Sequence, residues 1–287
     1  MNKAKVHLVL GSGGARGVAH IGVIEVLEES GYEIISVTGC SMGAVVGGIY
    51  AAGFQKAYKE WLLSLNKPLL FQMMDLTFSR QGFLKGERIF SRLAEVTGLL
   101  SIEQLQIPFT AVAADMAQNK EVHYRTGDLY KALRASIAIP GVFTPVIENG
   151  QILVDGGVLN PLPVNLVIKK EQELIVAVNL NGVSEIHNDT PAVQAEKMLR
   201  KLLKPIMQYA GSKKEELLSA AEYSLRELLI STYRMTQDRI TSLMLAAYPP
   251  DILIEIPRNA CSTFEFYKAK TLLELGRQAC LKALALR

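Results

Sequence analysis

A three-layer α/β/α domain with a mostly parallel central sheet, extended by a C-terminal helical segment, is the expectation for this 287-residue chain. Three observations carry it. The first quarter reads strand, glycine loop, helix, strand, sharp turn, helix, which is the order of parallel strands joined by crossover helices. Its strands are predominantly apolar, as strands covered on both faces are. Apolar residues make up 49% and charged residues 21%, enough for one sizeable core and far from a disordered composition.

Taken in order, Val6 to Leu10 reads as a buried strand, then a glycine-rich loop from Gly11 to Gly17, then a helix from Val18 to Ser30 closed by Gly31. Ile34 to Thr38 is the next strand, and Met42 to Ala52 a helix of small residues ending near Gly53. Ile34 to Gln55 carries no charge over 22 residues, long enough to span a bilayer, but five glycines interrupt it. A buried strand followed by a buried helix fits it better. Phe54 to Leu76 is densely apolar, with Trp61, Leu62, Leu65, Leu70 and Met73 among its members. It reads either as a helix pair capping the sheet or as the wall of an acyl pocket or a membrane-facing flap.

Gly86 to Val96 looks helical, and Phe109 to Ala114 with Glu121 to Tyr124 forms a hairpin around Asn119-Lys120. Leu129 to Ala138 is a helix stopped by Pro140-Gly141. Gln151 to Val154 and Leu174 to Val178 are strands; Thr190 to Ala247 is a charged helical stretch broken at Pro205 and Gly211; Ile252 to Ile256 and Phe264 to Leu286 supply a final strand and helix. The expected organisation is one domain over 1–287, with a motif-bearing core over about 6–180, the helical extension over about 190–248 and the last two elements over 250–287.

The net charge of +3 and the absence of dense Lys/Arg runs do not mark a nucleic-acid binder, and none is expected as a partner, but they permit contact with an anionic lipid surface. Cys40, Cys261 and Cys280 are too scattered for a disulfide framework or a zinc site, so free thiols in a reducing cytoplasm are expected. The apolar run after Met1 is too short for a signal peptide, and no transmembrane helix is expected. No metal ligand cluster appears and no cofactor is expected. The sequence is silent on oligomeric state.

Gly39-Cys40-Ser41-Met42-Gly43 has the G-x-S-x-G form of a nucleophile elbow. A strand-to-helix bend that sharp leaves no room for side chains two positions either side of the serine. The helix that follows aims free amides at Ser41, which makes the Met42 amide an oxyanion donor. The alternative is a tight turn before a packed helix. The loop Gly11-Ser12-Gly13-Gly14-Ala15-Arg16-Gly17 offers further amides at a helix N-terminus. A dinucleotide fingerprint fails there, because the third glycine of G-x-G-x-x-G would fall on Arg16. A phosphate loop fails because no Gly-Lys-Ser/Thr follows. An oxyanion hole survives, with Arg16 orienting the loop, holding an anionic head group, or forming a salt bridge at the helix start.

Asp155, followed by Gly156-Gly157, sits at the carboxyl end of a strand, where open α/β sheets place their sites. It reads as a base whose pKa desolvation would raise, or as a turn aspartate. His7, His20 and His123 precede it, and a Ser–Asp–His order could be closed only by His187, in a polar stretch. An α/β-hydrolase elbow also follows several strands, not two. A histidine-free Ser–Asp dyad is preferred, with an esterase using His187 as the alternative; a non-catalytic lipid-binding protein or a nucleotide-binding module are the rivals from other classes.

In that order, the three motifs resemble those of the patatin-like phospholipases. The segment Ala132-Leu133-Arg134-Ala135-Ser136-Ile137-Ala138-Ile139-Pro140-Gly141-Val142-Phe143 is similar to the family's intervening block, and Asn160-Pro161-Leu162-Pro163-Val164 to its continuation. The resemblance covers about Val6 to Leu180 and is strongest to short bacterial members. It implies a patatin-like fold and a lipid acyl hydrolase acting on a lipid or ester substrate, with peripheral membrane contact. Ser41 matches the family's nucleophile, Asp155 its base, and Gly13, Gly14, Ala15 and Arg16 its oxyanion loop. At one position the chain departs: Ser12 stands where the commonest G-x-G-x-x-G version has its first glycine.

Overall fold

The computed structural model describes residues 3–73, 75–79, 82–182 and 225–286. The chain divides into a body formed by Met1–Val183 with Gln237–Arg287 and a second unit, Ser184–Thr236. In that second unit, 225–236 is helical, as the start of a helix that runs over Leu225–Ala247. His187, Pro205 and Gly211 lie outside the described residues.

In the body, β1 (Ala4–Leu10) leads through a 3-10 turn at Gly14–Val18 to α1 (Ala19–Glu29), β2 (Tyr32–Cys40) and α2 (Met42–Ala51). The apolar stretch that follows folds as α3 (Gln55–Ser64) and α4 (Lys67–Met73), a helix pair. Two short strands absent from the sequence reading, β3 (Leu76–Ser79) and β4 (Gly82–Leu84), pair with each other before α5 (Glu87–Thr97). Then come β5 (Phe109–Asp115), β6 (Lys120–Tyr124), α6 (Leu129–Ser136), β7 (Val146–Glu148), β8 (Gln151–Asp155) and β9 (Leu174–Gly182). The helix at Leu225–Ala247 (α7), β10 (Ile252–Pro257) and α8 (Ala269–Ala285) close the chain.

The main sheet runs β10-β9-β1-β2-β5-β8-β7, with β6 paired to β5. From β10 to β5 every pair is parallel, and β6, β7 and β8 add antiparallel pairs at the other side. This is the mostly parallel sheet expected, and alternation along its strands builds the layers. Val6, Leu8 and Leu10 of β1 face the main core with α1 and α2, whereas Val9 faces a second cluster with Leu162, Val164 and Ala177, against which Met244 and Leu245 of α7 pack.

Two side-chain caps fix helices that frame the site. Asp128 caps α6 by accepting the Lys131 amide at 2.9 Å. Asp75 reaches across the β3–β4 pair to the start of α5, where its carboxylate accepts the amides of Gly86 (2.6 Å), Glu87 (2.7 Å) and Arg88 (3.2 Å).

Candidate active site

Register brings the two ends of the site together. Cys40, the last residue of β2, pairs with Val112, and Asp155, the last of β8, pairs with Ala113, the next position along β5. Ser41 and Asp155, 114 positions apart in sequence, meet there: Ser41 Oγ donates to Asp155 Oδ2 at 2.6 Å. Both are buried.

Ser41 has φ 54° and ψ −124°, a left-handed conformation that a serine adopts only when its surroundings impose it. Its amide donates to Ser136 Oγ at 2.8 Å, and Ser136 Oγ donates in turn to Val112 O at 2.6 Å. Ser136, at the end of α6, therefore ties the elbow to β5. The same bond occupies the Ser41 amide.

Asp155 is held from the other side by the Gly157 amide, which donates to Oδ1 at 2.7 Å. Burial raises the Asp155 pKa from its ordinary 3.8 to about 6, against the opposing pull of the Ser41 and Gly157 hydrogen bonds. The buried Cys40 thiol lies 4.0 Å from the same Oδ1; burial, then the charge of Asp155, push its pKa well up and keep it protonated. Among the described residues no group of His, Cys, Asp and Glu is arranged to hold a metal ion.

The glycine loop lies beside the serine. The Gly13, Gly14 and Met42 amides have no hydrogen-bond partner among the described residues, and Gly14 and Met42 line the cavity at Ser41. The Ala15 amide is already committed to Thr263 O at 2.9 Å. Arg16 is buried and its guanidinium donates to Leu180 O (2.8 Å), Cys261 O (3.2 Å) and Asn181 Oδ1 (3.0 Å), so it clamps the loop to β9 and the Cys261 turn. Asn181 Nδ2 donates back to the main-chain Ser12 O at 3.0 Å, and the Ser12 hydroxyl, at the departing position, accepts from Gln237 Nε2 at 3.2 Å. At Gly11, Gly13, Gly14, Gly17, Gly39, Gly43, Gly156 and Gly157 alike, a Cβ would fall within 3.0 Å of a neighbouring atom.

A pocket opens at Ser41 and is walled almost wholly by apolar side chains, including Tyr58, Trp61, Leu65 and Leu70 of the stretch that forms the helix pair. The apolar stretch therefore serves both readings: Tyr58, Leu62 and Leu65 are core residues that also line the cavity.

Comparison with known proteins settles the family. The model for patatin-like phospholipases matches residues 8–168. The chain belongs to the patatin-like phospholipase family. An NTE family protein of Mycobacterium bovis is 35% identical over 98% of this chain and 91% of its own length. Lysophospholipase NTE1 of Cryptococcus neoformans is 31% identical over 63% of this chain but only 11% of its own length. VipD of Legionella pneumophila superposes with a TM-score of 0.49 at 14% identity, over 99% of this chain and 67% of that one. The chain is a lipid ester hydrolase. Among its described residues, no helix is long and apolar enough to cross a membrane.

The described histidines of this patatin-like phospholipase stand apart from the serine. His7 bonds Ser36 and Glu173, and His123 bonds Glu121. His20 is fully buried, its Nε2 3.0 Å from Gly11 O, and burial lowers its pKa to about 4, so it is neutral and holds the start of the glycine loop. Besides Ser136, sequence reasoning missed Gln237. Its Nε2 donates to Ser12 Oγ and to Gly157 O, each at 3.2 Å, and so joins the glycine loop to the turn after Asp155. Only a polar residue inside an otherwise amphipathic helix hinted at it.

Proposed function

We propose that the protein cleaves fatty-acyl esters of lipids and phospholipids through a Ser41–Asp155 dyad and a covalent acyl-enzyme. The 2.6 Å hydrogen bond from Ser41 Oγ to the buried Asp155 carboxylate, at the mouth of a large apolar cavity, is the observation that carries this reading. Asp155 accepts the Ser41 proton as Oγ attacks the ester carbonyl, and the amides of Gly13, Gly14 and Met42 stabilise the oxyanion. The tetrahedral intermediate collapses, the proton passes from Asp155 to the departing alcohol, and the acyl group stays on Ser41. Water then gives a proton to Asp155 and attacks the acyl-enzyme; the fatty acid leaves and Ser41 regains its proton.

The reading treats residues 1–287 as one patatin-like domain, supported by the pairing of β10 with β9 in the main sheet. Peripheral membrane contact is supported by Leu63 and Phe71, exposed on the helices that line the cavity. The substrate is a lipid or ester whose acyl chain occupies the apolar cavity. The oxyanion donors reduce to main-chain groups, so no cofactor enters the scheme.

A fluorophosphonate probe is expected to label the wild-type protein at Ser41 and to leave Ser41→Ala unlabelled, read by intact mass and peptide mapping. Absence of labelling together with lipid binding would support the non-catalytic reading instead. The pH dependence follows from Asp155. As the base must be ionised, kcat/KM on a short-chain ester should fall as pH drops through about 6. A profile flat from pH 7 to an acid limb near 4 would remove Asp155 from that role. His187→Ala should leave the profile unchanged.

A further inference from the structure

A second, smaller apolar pocket adjoins the one at Ser41. Ile49, Phe54, Ala57 and Leu93 line it, away from the dyad. Of its polar neighbours, Arg92 pairs with Glu95, and the Thr97 hydroxyl bonds Leu93 O and Tyr130. A ligand for this space is hydrocarbon.

Tyr58 and Trp61 line both cavities. One turn apart on α3, they stack with ring centroids 5.7 Å apart and planes at 25°. An aromatic pair with empty space on either side is a partition. Tyr58 is almost fully buried in the core, whereas Trp61 is only half-buried, so Trp61 is the ring with room to turn.

We propose that the second cavity is a distal subsite for long fatty-acyl chains, opened when Trp61 swings aside, and that Trp61 sets the chain length the enzyme accepts. This rests on the reading that Ser41 attacks fatty-acyl esters. A short chain fits within the cavity at Ser41; a long one must bend away from Trp61 or displace it. The far end of a displaced chain would lie against Ile49, Phe54 and Leu93.

Two readouts test this. Trp61 is the sole tryptophan of the chain, so its emission reports the partition directly. Titration with hexadecanoate should shift that emission in both wild type and Ser41→Ala, whereas butanoate should not, and Leu93→Phe, which fills the second cavity, should suppress the shift. In the activity arm, kcat/KM is measured on 4-nitrophenyl esters from butanoate to hexadecanoate. Trp61→Ala should raise the ratio of long-chain to butanoate turnover about fourfold for each methylene gaining burial, or 0.8 kcal/mol, and Leu93→Phe should cancel the gain. Trp61→Leu serves if Trp61→Ala fails to fold. An emission change indifferent to chain length or to Leu93→Phe, or an unchanged ester ratio in Trp61→Ala and Trp61→Leu, overturns the subsite. A chain-length-dependent emission shift with no ester turnover keeps the subsite and overturns the dyad instead.

Discussion

Asp155→Asn should lower kcat/KM on any ester by about 10⁴-fold while making the folded protein more stable at neutral pH. The two effects share one cause. The carboxylate sits without solvent between the elbow and β5, and burial is the largest influence on it. Its folded pKa of about 6 stands above its ordinary 3.8, so the native state holds this proton more tightly than the unfolded chain does. The contribution to stability is therefore favourable at low pH and lost as pH rises from about 4 to about 6. Above that it is a constant penalty, bounded at about 3 kcal/mol by two pKa units at 1.36 each. Asparagine keeps an acceptor for the Gly157 amide and offers a donor to Ser41, but carries no charge to desolvate. Thermal melts of the two proteins should separate by several degrees at pH 8, the mutant higher, and converge near pH 4. A mutant less stable than wild type at pH 8 would mean that the ionised carboxylate is compensated, and that the raised pKa is not its working state.

The elbow and the Asp-Gly-Gly turn were legible because their constraints are local. Glycines two residues from a buried serine and just after a strand-end aspartate follow from sterics that any chain must obey. The parallel order from β1 to β5 was legible for the same reason, since apolar strands joined by crossover helices have few other arrangements. What stayed hidden depends on juxtaposition. Ser136 matters because α6 ends against β5 beneath the Ser41 amide, and Gln237 because α7 lays one amide between Ser12 and Gly157, 225 and 80 positions away in sequence. Arg16 left three readings open, and its partners are mostly main-chain carbonyls that no pattern announces. The stretch from Phe54 to Leu76 could not be split into core and cavity wall, because apolar periodicity is the same for a side chain facing another side chain and one facing a void. The short strands β3, β4 and β7 hold three or four residues each, below the length at which alternation is readable.

Gly43→Ala is expected to be severely damaging. A Cβ at this position would stand 2.1 Å from Leu10 O, 2.5 Å from Leu10 C and 2.7 Å from Gly11 O. All three are main-chain atoms, at the point where β1 turns into the glycine loop, so no rotamer change relieves the clash. Either α2 lifts off the sheet or the loop is pushed aside, and both separate Ser41 from the Gly13 and Gly14 amides proposed as oxyanion donors. Overpacking of this kind costs about 3 kcal/mol, lowering Tm by about 5 °C, and turnover should fall even in the fraction that stays folded. Gly31→Ala isolates the steric cause. Gly31 has φ +81° with nothing within 4 Å of its Cβ position, so alanine there bears only the left-handed backbone cost, about 1 kcal/mol. Gly31→Ala should melt only a few degrees below wild type and keep its ester turnover and fluorophosphonate labelling. Equal losses in the two variants would show that the elbow tolerates movement of α2. A loss confined to Gly43→Ala ties catalysis to the contact between the first turn of α2 and the end of β1, the contact that sets Ser41 beside the glycine loop.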